Sequence, residues 1–139
     1  MKLIVGDLDR DFERRPVIGG LVALREPNDR QVPPAIGALS IEIISLIRPL
    51  VPRVRRRDRS LATQLVRAAS DAAMNVAEAE RAEPASKKQR FVDAASNVNE
   101  TQAALRVAIA WGYVEAAEAE PANALLGRMN AMLTRLTRV

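Results

Sequence analysis

The sequence predicts an all-α fold, four helices after an N-terminal leader, and three observations carry that prediction. The stretch Gln64–Val114 holds two amphipathic patterns whose apolar residues return at steps of three and four, the spacing that places side chains on one helical face. A further stripe of this kind runs through the C-terminal residues, and an apolar run fills the region between Pro34 and Pro52. Hydrophobic residues make up 48% of the 139-residue chain but aromatics only 3%, so the core is expected to be built from Ala, Leu, Ile and Val. A chain of this length suits one domain with one core.

The leader, residues 1–34, mixes two short apolar runs, Leu3–Val5 and Val17–Leu24, with balanced charge and with Pro16, Pro27 and the Pro33-Pro34 pair. It lacks sustained periodicity, which reads as a segment that is poorly ordered or docked on a neighbouring subunit, because termini are ordered only when tied down. The alternative for Val17–Leu24 is a short strand or docking strip. The remainder, 35–139, is the expected bundle domain.

The first helix is expected from Pro34 to about Leu50, with Ile36, Leu39, Ile43, Leu46, Ile47 and Leu50 on its face and Pro49 and Pro52 ending it. Only Glu42 and Arg48 carry charge between Ala35 and Pro52, so more of its circumference needs covering than in a helix with one wet face. That favours burial against another subunit. Asp58 or Ser60 suits the cap of the second helix, whose stripe is Leu61, Leu65, Ala68, Ala72, Asn75 and Ala79. Asn75 is the polar member of that seam and is expected to find hydrogen-bond partners, since burying it unpaired would cost roughly 1–3 kcal/mol.

Pro84 and Ser86 mark the break before the third helix, with Phe91, Ala95, Val98, Gln102, Leu105 and Ile109 along its face and Gly112 at its end. Trp111 and Tyr113, at that end, read as core or interface packing, with a partner hot spot as the alternative. Pro121 suits the first turn of a fourth helix, which carries Leu125, Leu126, Met129, Met132, Leu133 and Leu136 as its stripe and Arg135 and Arg138 at its negative pole.

A family resemblance rests on particular residues. Arg67 and Ser70, then Asn75-Val-Ala-Glu78, then Phe91, Ser96, Glu100 and the closing Gly112-Tyr113 resemble the four helix bundle protein family, founded on proteins encoded by intervening sequences in bacterial large-subunit ribosomal RNA genes. The likeness covers roughly residues 36–138. One departure is Ala79, where such proteins usually carry glycine. The resemblance implies an antiparallel up-and-down bundle that often assembles into a homopentamer. A related accessory protein of diversity-generating retroelements, by the same resemblance, binds a reverse transcriptase and nucleic acid. It implies no enzymatic activity and no cofactor, and it gives Arg67, Ser70, Asn75, Glu78, Ser96 and Glu100 a structural part.

Residue types narrow the chemistry. The chain has no Cys and no His, which removes disulfides, thiolate metal sites, the commonest zinc ligand and every Ser-His or Cys-His dyad. Glu78 and Glu100 remain as the candidate carboxylates, and facing each other across the second and third helices is one arrangement open to them. A di-iron bundle would need Glu-x-x-His pairs, so neither a catalytic nor a metal site is expected, and pairing of the two carboxylates with Arg67, Asn75 or Arg106 is the expectation. No run approaches the ~20 apolar residues that span a bilayer, and the start of the chain lacks the order of a signal peptide. A cytoplasmic, non-membrane protein is expected.

Charge carries the functional reading. The formal net charge is +4, from 21 basic and 17 acidic residues, and the segment Arg53-Val-Arg-Arg-Arg-Asp-Arg59 accounts for all of it. Read as an inter-helix loop, Arg53, Arg55, Arg56, Arg57 and Arg59 make a candidate contact for the phosphates of RNA or DNA, since guanidinium groups bind them through planar, often bidentate contacts. A smaller basic group, Lys87, Lys88 and Arg90, opens the third helix. No aromatic is interleaved with these arginines in sequence, which argues for sequence-independent contact. The expectation is a non-catalytic, oligomeric nucleic-acid-binding accessory factor. The alternative is a structural assembly or protein-interaction module in which a charged loop is only solvated.

Overall fold

A computed structural model of the protein describes residues 35–138. The expectations for the leader, 1–34, lie outside the described residues. Five α-helices follow one another: α1 Ala35–Ile47, α2 Val51–Arg57, α3 Arg59–Arg81, α4 Pro84–Ala110 and α5 Ala116–Thr137. A 3-10 turn, Arg48–Leu50, joins α1 to α2, so these make one helical arm and the architecture is four-membered. The first arm packs on α3 and α5, α3 on α4, and α4 on α5, closing a cycle. One residue separates α2 from α3 and two separate α3 from α4, and connections this short force neighbours to run antiparallel. The all-α four-helix bundle is therefore the fold.

The first arm corrects the expected helix end. Pro49 and Pro52 do not stop it, because each occupies one of the first two positions of a new helical stretch, where the missing N–H has no intrahelical partner to lose. The backbone stays right-handed helical through Ile47, Leu50 and Val51. The arm ends at Arg57, seven residues beyond Leu50, where the extended backbone of Asp58 breaks it. Asp58 then caps α3 by accepting a 3.0 Å hydrogen bond from the Leu61 N–H.

Alternating steps of three and four line the core. In α3 the buried residues include Leu61, Leu65, Ala68, Ala72, Val76 and Ala79, so Val76 takes the seam position expected for Asn75. The Asn75 amide is half-buried and donates to Asn97 Oδ1 of α4 at 2.8 Å, the partner its place demanded. Ala79, despite being alanine, is buried, and α3 ends two residues beyond it. In α4 the seam is Phe91, Ala94, Val98, Thr101, Leu105 and Ala108. Ala95, Gln102 and Ile109 are only half-buried. The face is turned toward small residues, which bring α3 and α4 close, and the buried Thr101 hydroxyl is satisfied by donating to the Asn97 carbonyl at 2.8 Å.

The fourth arm, α5, begins five residues before Pro121 because a capping box fixes its start. Glu115 accepts from the backbone at the third helical position, and Glu118 accepts from the Glu115 N–H at 3.0 Å. Pro121 stands inside the helix, and Ala119, Ala122, Leu126, Met129 and Leu133 are buried.

Gly112 closes α4 with φ +80°. Its N–H donates to the Ile109 carbonyl and the Tyr113 N–H to the Ala108 carbonyl, each at 2.9 Å, the paired bonds of a left-handed glycine stop. A Cβ at Gly112 would meet no heavy atom within 4 Å, so the cost of Gly112→Ala is backbone strain alone. We expect it to destabilise by about 1–2 kcal/mol, with Gly112→Asn costing less because Asn tolerates this conformation. Urea unfolding of both variants checks this ordering.

Candidate nucleic-acid interface

The five arginines of the segment 53–59 are not a loop. Arg53, Arg55, Arg56 and Arg57 stand on α2, and Arg59 is the first residue of α3. This corrects the expected arginine-rich loop, for the proline reason given above. Val51 and Val54 turn inward and force the charged residues between and after them to the outside. Arg55, Arg56, Arg57 and Arg59 are exposed.

Arg53 differs from the others. Its guanidinium forks onto Glu118, Nη1 to Oε1 at 2.9 Å and Nη2 to Oε2 at 2.8 Å, tying α2 to the first turn of α5. The hydrogen bond from Arg53, followed by that from the Glu115 N–H, holds the Glu118 carboxyl below its usual value, and the same bond raises Arg53. Stability from a lowered carboxyl is fully present above the unfolded-state value near 4.5 and is lost as pH falls through the folded value. Glu118→Gln keeps an acceptor for the cap but loses the charge. We therefore expect wild type and Glu118→Gln to differ slightly in urea midpoint at pH 7 and to converge in acid, slightly because both side chains are about a third exposed. A gap that persists in acid contradicts the pairing.

Three carboxylates at this end of the bundle have local partners. Asp58 caps α3, Glu115 belongs to the capping box, and Glu118 is held by Arg53. Among the described residues, no carboxylate lies within ion-pair distance of Arg55, Arg56, Arg57 or Arg59.

The fold also brings aromatics to the arginines, which the spacing in sequence had hidden. Arg57 lies over the Tyr113 ring, 5.5 Å from its centroid. Trp111 and Tyr113 are nearly parallel, at 15° and 6.5 Å between centroids. Trp111 is 67% exposed, so of the two expected kinds of packing, core or interface, the core is excluded. The stop at Gly112 turns it outward while Val114 is buried instead.

The second basic group stands elsewhere. Lys87, Lys88 and Arg90 open α4, beside the end of α3 that is farthest from Arg59, and α3 is 23 residues long, about 35 Å at 1.5 Å per residue. Arg90 is paired with Glu78 at 3.0 Å and approaches Asn75 Oδ1 at 3.4 Å. It belongs to a polar bridge of Asn75, Glu78, Arg90 and Asn97 between α3 and α4. Glu78 and Glu100 do not come together: Glu100 lines a shallow groove with Gln64 and Val107 near the other end of that helix pair. Antiparallel packing sends residues late in α3 toward early α4, so the two carboxylates stand apart and Glu78 pairs with Arg90 rather than with the expected Arg67, Asn75 or Arg106. Arg67 and Ser96 are exposed and Ser70 is half-buried. Among the described residues no group of three or more metal-ligating side chains forms, and no helix is long and apolar enough to cross a membrane.

An apolar groove separates the first arm from α3, lined by Ile44, Ile47, Val51, Pro52, Val66, Ala69 and Ser70 with Arg48 and Arg55 at its rim. Ile41 and Met74, each 58% exposed, stand one turn beyond Ile44 and Ser70 on their helices.

The sequence model of a family described as 23S rRNA-intervening sequence protein matches residues 38–135. The fold is similar to that in a crystal structure of a protein with unknown function from the S23 ribosomal protein family of Bacteroides thetaiotaomicron. The TM-score is 0.69 at 21% identity, over 75% of this chain and 99% of that one. No curated protein matches the chain.

Proposed function

The chain belongs to the 23S rRNA-intervening sequence protein family, and from that premise we propose that it is a non-catalytic, cytoplasmic, oligomeric accessory factor that holds nucleic acid by its phosphates. The observation that supports this reading is the charge at one end of the bundle. Arg55, Arg56, Arg57 and Arg59 are exposed there, while Asp58, Glu115 and Glu118 are engaged in caps and in the pair with Arg53. Guanidinium groups held on a helix and unneutralised by neighbouring acids suit phosphate oxygens, and such contacts are independent of sequence.

Self-assembly is supported by the groove between the first arm and α3 and by its continuation over Ile41 and Met74. A closed ring, such as the pentamer the family resemblance implies, would present the arginine end once per subunit and gain avidity from repetition. The test is anisotropy of a labelled mixed-sequence RNA titrated with the protein at stepped salt. Log affinity is expected to fall linearly with log salt, by about 0.7 for each phosphate neutralised on a single strand. Absence of binding at low salt, or affinity indifferent to salt, overturns it.

The same apolar strip favours a second reading, an assembly or protein-interaction module without nucleic-acid binding, with a protein such as a reverse transcriptase as partner. That reading predicts a multimer that ignores RNA under every salt condition.

A further inference from the structure

We infer that Trp111 is a stacking platform for an unpaired nucleobase, so that the ligand of the arginine end is single-stranded nucleic acid; this rests on the phosphate-binding reading and names its substrate class. A chain with one tryptophan and an aromatic-poor core leaves that side chain 67% exposed, although an aromatic ring is among the most favourable groups to bury. Its position is fixed. The paired bonds at Gly112 set the corner, Tyr113 lies nearly parallel to the indole, and the Arg57 guanidinium covers the Tyr113 ring.

Arg57 and Trp111 thus both adjoin Tyr113, which puts a cation and an exposed indole beside one ring. Tyr113 is half-buried, which leaves the indole as the open face. A base laid on that face joins this cluster, and Arg57, which shares Tyr113 with the indole, brings a guanidinium of α2 within reach of the same strand. Charge decides between ligands here. A purely apolar protein partner would have to bury these arginines unpaired, whereas a nucleotide supplies an aromatic face and an anion together. Bases in a duplex are already stacked and paired, so only a single strand, loop or end offers one.

Because Trp111 is the only tryptophan, its own emission reports the site. The full-length protein is titrated with a short oligouridylate, with an RNA duplex, and with polyphosphate as a base-free polyanion. Anisotropy of the labelled RNAs follows binding independently, and light scattering follows subunit number. The expected result is saturable quenching by the single strand, with no quenching by the duplex or polyphosphate. Trp111→Leu is expected to weaken single-strand binding roughly ten-fold and to leave duplex binding unchanged, with subunit number preserved.

Single-strand binding with unaltered emission, and unaltered affinity in Trp111→Leu, overturns the stacking role and leaves the phosphate reading standing. Failure of every nucleic acid to bind overturns both. Loss of subunits in Trp111→Leu reassigns the indole to a contact between copies of the chain and also overturns the proposal.

Discussion

Replacing Arg55, Arg56, Arg57 and Arg59 together with glutamine lowers affinity for RNA by roughly a hundred- to a thousand-fold at about 0.1 M salt, with little change in stability. Each guanidinium–phosphate contact at an exposed position is worth about 1 kcal/mol, below the usual range for charged hydrogen bonds in drier sites, and each 1.4 kcal/mol is a factor of ten. Stability changes little because the four side chains are exposed and, among the described residues, none is held by a carboxylate. The contact of Arg57 with Tyr113 is the exception, worth about 0.5–1 kcal/mol. Arg53→Gln is the contrasting control, because it breaks the fork onto Glu118 and is expected to affect stability more than binding. Affinity unchanged in the fourfold variant would remove the role given to these arginines.

Phe91→Ala is the substitution expected to cost the fold most, about 3–5 kcal/mol. Phe91 is 2% exposed and heads the fully buried side chains by volume. It stands on the second turn of α4, ahead of a seam continued mainly by Ala94, Val98, Thr101, Ala104 and Ala108, whose small side chains cannot move in to fill the space it leaves. Total stabilities of single domains are about 5–15 kcal/mol, so one truncation removes a large share. Urea unfolding followed by helical circular dichroism should show a much lower midpoint with little change in slope. A shift below 1 kcal/mol would mean that the site collapses freely and that the packing account is wrong.

Much of the helical order was legible because small and branched apolar residues recur with helical spacing. Leu61, Leu65, Ala68, Ala72 and Ala79 in the second arm, and Phe91, Val98 and Leu105 in the third, are all seam residues. In the third arm hydropathy does not separate a 4-3-4 stripe through Ala95 and Ile109 from the observed 3-4-3 stripe through Ala94 and Ala108, and in the second arm strict alternation of three and four points to Asn75 where two successive steps of four reach Val76. Prolines read as stops were first-turn residues of restarted helices. The start of α5 carries no such mark in sequence, because its cap is a glutamate rather than the Ser, Thr, Asp or Asn that usually signal one.

The candidate site was less legible, since it is assembled from separated elements. The excess of arginine between residues 53 and 59 was visible, but its helical state was hidden by Pro49 and Pro52. The pairing of Arg53 with Glu118 spans 65 positions, beyond any local pattern. The approach of Arg57 to Tyr113 likewise depends on where α4 ends. A signal for the corner was present in Trp111-Gly112-Tyr113, a glycine stop flanked by two aromatics, which brings residues at i and i+2 to one side of a helix end. Recognising that the indole faces outward required the packed bundle.

The central claim, an assembled bundle whose arginine end binds phosphates, is tested most directly by light scattering coupled to size exclusion, run with and without a short mixed-sequence RNA at low and at raised salt. The account predicts a multimer that gains the mass of the RNA at low salt and releases it at high salt while its subunit number stays constant. A monomer, or a multimer whose mass is the same with and without RNA at low salt, contradicts it.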